Sequence, residues 1–182
     1  MIWREMIIFA NHFAKTYFME RKITDDALRR GAEEGMDAFL KVFTDAYLEV
    51  IGGELTGETM GRLTGTQHAL LGYHFFHEEV MDGGFCQLIY NGYGPYIFDN
   101  PFAKAMRLWG CKEFSKVVYK AKELYDEFKE DITRERTDEE FMAMYEQYPQ
   151  FDDLEDYFIE NEEEITGIIA YYVDEHIEEF LL

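Results

Sequence analysis

The chain has 182 residues, of which 47% are hydrophobic and 17% aromatic, so it can build a core and is not expected to be intrinsically disordered. No stretch approaches the roughly 20 uninterrupted apolar residues of a transmembrane helix, and the N-terminal residues lack a secretory cleavage pattern, so we expect a cytoplasmic protein. The formal net charge of −21 argues against direct binding to nucleic acid or membranes and favours a basic partner.

Acidic residues are concentrated in the last third of the chain. Residues 126–182 contain 21 acidic and three basic residues, whereas residues 1–125 contain 17 acidic and 14 basic residues. Carboxylates in the final turns of a helix oppose its dipole, and like charges one turn apart repel each other. Helix propensity therefore does not explain Asp174, Glu175, Glu178 and Glu179.

Apolar residues recur every three or four positions along most of the chain, which predicts helices, and no segment shows the alternation of a strand. We therefore predict an all-α, single compact domain of eight or nine helices. The first is predicted over residues 2–17. The second is predicted to begin at Thr24 or Asp25 and to end at Gly52 and Gly53, with Ala32 and Met36 on its apolar stripe.

The third helix is predicted from Thr64, which has capping-box spacing with Gln67, to about residue 82. The segment EEVMDGGFCQLIYNGYG at residues 78–94 then predicts a glycine break and a short helix that buries Phe85, Leu88 and Ile89. This segment has neither of the glycine patterns that bind phosphate, so we interpret its glycines as breaks between helices.

Four more helices are predicted from their start and stop signals. They run from a cap at Asn100 to Gly110, over residues 112–129, from a Thr137 capping box to Pro149, and from a cap at Asn161 to the C-terminus. Cys86 and Cys111 lie among apolar residues and are expected to be free core residues.

Catalytic motifs are not apparent in the sequence. His74, His77 and Glu78 fall on one helix face and could reach a metal, but the HExxH and ExxH patterns are absent, which favours histidines at the edge of the core. We therefore predict no enzyme activity, catalytic residue, metal or cofactor. The aromatic residues between 90 and 102 are typical of a core or of an oligomer interface, such as that of a homodimer.

The segment 78–94 and the following AKAMRLWGCKEFSKVVYKAKELY resemble the signature of the bacterial DNA-mimic protein (DMP-nineteen-like) family. The acidic tail from residue 145 onwards is similar to the tail of the same family. The resemblance covers about residues 55–180, so we expect variable N-terminal helices over 1–54 and the family region over 55–182. It implies an all-α fold and an acidic surface that imitates duplex DNA. The residues of the motif are Glu79, Val80, Gly83, Gly84, Phe85, Gln87, Asn91 and Gly94.

Two functions are favoured over a third, a metal-dependent enzyme built on His74, His77 and Glu78. The first is an acidic interaction protein that binds the basic surface of a DNA-binding protein or transcription factor and competes with DNA. The alternative is a non-enzymatic scaffold or toxin-neutralising (immunity-type) protein whose acidic face is only solvated. For the first function, residues 152–160 would have to fill the uncharged interval 165–173. The predicted partner-binding residues are Asp152, Asp153, Glu155, Asp156, Glu160, Glu162, Glu163, Glu164, Asp174, Glu175, Glu178 and Glu179.

Overall fold

The computed structural model describes residues 23–182 and contains eight α-helices and no β-strand within that range, which confirms the all-α class. The helix predicted over residues 2–17 lies outside the described residues. None of the described helices has an apolar stretch that could cross a bilayer. The helices are α1 (Asp25–Glu34), α2 (Met36–Ile51), α3 (Gly65–Tyr90), α4 (Gly94–Phe98), α5 (Phe102–Leu108), α6 (Lys112–Ile132), α7 (Asp138–Gln147) and α8 (Asp152–Glu175), with 3₁₀ turns at Met60–Arg62, Pro149–Phe151 and Ile177–Glu179.

The segment predicted as one helix from residue 24 to 52 is a hairpin of two helices. Gly35 separates them with a φ of 137°, which side-chain-bearing residues rarely adopt. The helices pack so closely that a Cβ at Gly31 would lie 2.9 Å from a carbonyl oxygen of α2. The prediction of a single helix was wrong because the spacing of apolar residues at every three or four positions continues through Gly35. As a result Ala32 and Met36, which were predicted to face the core, are exposed.

The predicted capping box begins α3. The Gln67 N–H donates to the Thr64 hydroxyl oxygen at 3.2 Å, and the Thr64 N–H donates to the Gln67 side-chain oxygen at 2.9 Å. The helix is kinked at Gly83 and Gly84, and Gly84 has a φ of 71°. The predicted break is therefore confirmed, and the segment after it buries Phe85, Leu88 and Ile89.

The region around α5 differs from the prediction at its start. Asn100 does not cap this helix, because its side-chain amide donates to the carbonyl oxygens of Pro95 and Tyr96 at 3.2 Å each. Gly110 follows α5 with a φ of 110° and leads into α6, in agreement with the predicted end.

The predicted capping box of α7 is confirmed, with Thr137 and Glu140 bonded to each other's backbone N–H groups. By contrast, Asn161 does not begin a helix. It lies inside the uninterrupted α8, where its side-chain amide donates to the Tyr157 carbonyl oxygen at 2.7 Å. The apolar residues before and after Asn161 face the same core, and this packing favours one continuous helix over a new start.

The buried side chains of the described helices form one contiguous hydrophobic cluster. At its centre, the Phe76 ring of α3 packs against Phe114 of α6 and Phe158 of α8, with ring centroids 5.1 and 4.9 Å apart. Cys86 and Cys111 are free and buried, as predicted, and burial raises the pKa of both thiols to about 12. The packing of α3, α6 and α8 against one another determines which face of α8 is exposed.

Candidate functional site

The outer face of α8 carries a band of carboxylates. At about 100° of rotation per residue, its eight exposed acids project within an arc of about 140°. The opposite side of the helix is buried, through residues such as Leu154, Phe158 and Val173. We call the following residues the α8 acidic face: Asp152, Asp153, Asp156, Glu160, Glu163, Glu164, Asp174 and Glu175.

Glu155 was predicted to bind a partner, but it lies on the inner side of α8. Its carboxylate is half-buried and accepts the Phe85 backbone N–H at 2.7 Å, just after the kink in α3. Burial raises the pKa of this carboxyl group, and the hydrogen bond from Phe85 partly opposes that effect. Glu155 therefore stabilises the kink and is not part of the exposed band.

Glu162 also lies on the inner side. Its Oε1 atom accepts the Thr166 hydroxyl at 2.8 Å and lies 2.8 Å from His77 Nε2. Only 21% of its side chain is exposed, which leaves little of it available to a partner. Ten of the twelve predicted acids are thus exposed, and two are used inside the fold.

The remaining two predicted residues, Glu178 and Glu179, are exposed in the 3₁₀ turn that follows α8. This turn ends at the buried Phe180, whose carbonyl oxygen accepts the Tyr47 hydroxyl at 2.6 Å. Together with Asp174 and Glu175, these residues place four carboxylates at the C-terminal end of α8, where the helix dipole disfavours negative charge.

The α8 acidic face is interrupted in the middle. It has no acid between Glu164 and Asp174, an interval of about 15 Å along the helix axis. DNA imitation was expected to require residues 152–160 to fill this interval, but they do not fill it because they precede it on the same helix. Instead Tyr171 is 68% exposed there, and Met36 of α2 rests on Gly167, where a Cβ would lie 3.1 Å from the Met36 sulfur.

The acids at the turn between α1 and α2 were not predicted from the sequence. We call residues 33–37 the α1–α2 corner; its Glu33, Glu34 and Asp37 are exposed. The corner lies beside the uncharged interval because Met36 covers Gly167. The sequence EEGMD was a usable signal, since acids on both sides of a glycine are typical of an exposed helix break.

The α8 acidic face lacks ion pairs with basic side chains within residues 23–182. There, none of the eight acids of the α8 acidic face forms an ion pair with lysine or arginine. The lysine and arginine side chains that do form ion pairs in this range use other acids, namely Asp45, Asp99, Glu113, Asp126, Asp131 and Glu140.

The three residues considered as a metal set line one cavity. His74, His77 and Glu78 surround a space of about 90 Å³ together with Asp37 and Lys41. Burial lowers the pKa of His74, which favours a neutral ring. Among the described residues, neither His74 nor Glu78 belongs to a cluster of three metal-ligating side chains.

The motif residues of segment 78–94 hold the kinked region together. The Asn91 amide donates to the Glu79 carboxylate at 2.7 Å, and the Gln87 amide donates to the Asp82 carboxylate at 2.8 Å. Gly84 packs directly against the Glu155 carboxylate. The two hydrogen bonds thus brace the kinked end of α3, and Gly84 brings it into contact with α8.

Comparison with known proteins identifies the family. The model of the family described as DMP19-like protein matches residues 61–176, which is more than half of the chain. This chain belongs to the DMP19-like protein family. It is also 33% identical over 144 residues to the DNA mimic protein DMP19 of Neisseria meningitidis serogroup B, an alignment that covers 79% of this chain and 87% of that relative.

The family resemblance predicted from the sequence is thus confirmed. The part of the chain that matches the DMP19-like family contains the 78–94 segment and the whole α8 acidic face, whereas the α1–α2 corner precedes it.

Proposed function

We propose that this protein is a DNA mimic whose exposed carboxylates occupy the DNA-binding surface of a basic protein, such as a transcription factor, and exclude DNA from it. The observation that carries the proposal is the α8 acidic face, a one-sided band of exposed carboxylates without lysine or arginine partners in residues 23–182. Such a band presents to a basic groove-binding surface the charge that phosphates would present.

The density of charge in the band supports this function. Between Asp152 and Glu164, six exposed carboxylates span about 18 Å of helix axis. One strand of B-DNA carries a phosphate about every 3.4 Å, so this part of α8 has a similar linear charge density. Beyond it, the α1–α2 corner supplies carboxylates beside the interval that α8 leaves uncharged.

The proposal is tested by capturing proteins from a bacterial lysate on the immobilised chain and then adding duplex DNA. We expect DNA-binding proteins to be captured at low salt, to be released by duplex DNA, and to be released also as the salt concentration rises. The triple variant Glu160→Lys, Glu163→Lys and Glu164→Lys should lose most of this capture.

A matched control separates the α8 acidic face from total charge. Glu123, Glu127 and Glu130 are exposed on α6, and changing all three to lysine alters the net charge by the same amount. This control variant should capture partners as the unmodified chain does. Loss of capture by both variants would mean that only net charge matters. Partners that bind the α8 variant normally, or that ignore DNA, would favour the scaffold or toxin-neutralising function instead.

A further inference from the structure

Three side chains from three different helices meet at one edge of the cavity described above. Asp37 of α2, His77 of α3 and Glu162 of α8 place one ligand-type atom each within 4.8 Å of the other two. Among the side chains that the structure describes, no other group of three histidine, cysteine, aspartate or glutamate residues comes together in this way. The set combines one imidazole with two carboxylates.

Buried hydroxyl groups hold the inner carboxylate in position. The Thr166 hydroxyl donates to Glu162 Oε1 at 2.8 Å, and the Tyr73 hydroxyl lies 2.6 Å from the Thr166 oxygen. Because Thr166 donates its proton to Glu162, Tyr73 must donate to Thr166. Thr166 and Tyr73 are only 1% and 3% exposed. These two successive hydrogen bonds therefore fix the Glu162 carboxylate, as outer-shell hydrogen bonds fix metal ligands.

The surroundings favour a cation and leave it room for water. The adjoining cavity of about 90 Å³ exceeds the roughly 10–15 Å³ that one water molecule requires. Two carboxylates in close proximity repel each other unless a positive charge lies between them. Lys41 lines the cavity, but its ammonium group is 2.8 Å from Asp45.

We propose that Asp37, His77 and Glu162 bind one divalent transition-metal ion of the Zn²⁺ type, with water from the cavity as a further ligand. Imidazole and carboxylate are ordinary ligands for Zn²⁺, at about 2.0–2.2 Å. The imidazole would bind through Nε2, the atom that faces Glu162, and carry its proton on Nδ1. A carboxylate oxygen of the exposed Asp37 already lies within 4.8 Å of the other two ligand atoms and completes the set.

Such an ion would connect α2, α3 and α8. It would fix the α1–α2 corner against α8, because Asp37 belongs to the corner and Glu162 to α8. This inference concerns metal binding alone and does not depend on the DNA-mimic proposal.

The test is calorimetric titration of the metal-stripped full chain with ZnCl₂, together with thermal unfolding. We expect one ion per chain and an increase in Tm of about 5–10 °C at a free Zn²⁺ concentration one hundred times Kd. Asp37→Asn and Glu162→Gln keep the size of each side chain but remove a ligand, and each should weaken Zn²⁺ binding at least tenfold.

His176→Ala is the control, because His176 is exposed at the acidic end of α8 and would be the site of adventitious surface binding. This variant should bind Zn²⁺ as the unmodified chain does. The proposal is overturned if the unmodified chain shows no stoichiometric binding, if Asp37→Asn and Glu162→Gln bind normally, or if His176→Ala abolishes binding. If the His77→Ala variant folds, it should also lose Zn²⁺ binding. If it does not fold, the result for Asp37→Asn decides the outcome.

Discussion

At Gly84 the backbone adopts a φ of 71° and a ψ of −172°, a region that is nearly confined to glycine. The Glu155 carboxylate fills the space that a Cβ would take and accepts the N–H of the next residue, Phe85. A carboxylate from a distant helix thus performs the capping that a neighbouring serine or aspartate usually provides. Two features therefore connect the kink in α3 with α8. The Phe85 N–H donates to the Glu155 carboxylate, and the absence of a side chain at Gly84 leaves room for that carboxylate.

We expect Gly84→Ala to lower the free energy of unfolding by more than the roughly 1–3 kcal/mol that such a backbone conformation costs, because the new methyl group would also overlap Glu155. Chemical denaturation of the purified variant measures the loss. Gly53→Ala is the matched control, since Gly53 has a φ of 76° and open space around it. Equal losses in the two variants would show that contact with Glu155 contributes nothing.

On the scale of the element, some helices were predicted correctly from the sequence and others were not. Periodicity and capping boxes correctly predicted α3, α6 and α7, because these signals depend on residues within one or two turns. The break at Gly35 was missed because the apolar spacing continues through this glycine, whereas the continuity of α8 through Asn161 depends on packing against distant segments. The contacts of Glu155 with Phe85 and of Glu162 with His77 were not predictable, since these partners lie 70 and 85 residues away along the chain.

The dipole of α8 makes a prediction for the carboxylates at its C-terminal end. Changing Asp174 and Glu175 to lysine should stabilise the helix by about 0.3–1 kcal/mol per residue. Each kcal/mol corresponds to an increase in Tm of about 2–4 °C, which thermal unfolding measures. On the proposed function, the same variant should bind its partner less tightly.

The N-terminal end of α8 should respond to the same change of charge in the opposite direction. Asp152 and Asp153 lie in the first turn of α8, where the dipole favours negative charge, so changing both to lysine should lower Tm. Shifts of the same sign at both ends would show that relief of net charge, rather than the dipole, determines the result.

On the scale of the whole molecule, the charge is strongly asymmetric. The last 57 residues contribute −18 of the net −21, and the α8 acidic face is not compensated by lysine or arginine ion pairs within residues 23–182. Such a distribution favours encounters with basic surfaces but destabilises the folded state through repulsion between its own carboxylates.

Salt should therefore act on stability and on partner binding in opposite directions. Raising NaCl from about 20 mM to about 500 mM shortens the Debye length from about 20 Å to about 4 Å, so we expect Tm to rise while partner affinity falls. Thermal unfolding across this range measures the first effect. The Glu160→Lys, Glu163→Lys and Glu164→Lys variant should show a weaker dependence of Tm on salt, and a Tm that falls with salt would contradict self-repulsion.

Because one continuous helix carries carboxylates at both of its ends, their separation cannot change without bending α8 or disturbing the core behind it. The α8 acidic face is thus preorganised, and binding orders little of this helix. A partner that contacts both ends must bring its own basic side chains to that fixed spacing, so the entropic cost of ordering falls on the partner. Discrimination among basic proteins would then follow from the distance between their cationic patches.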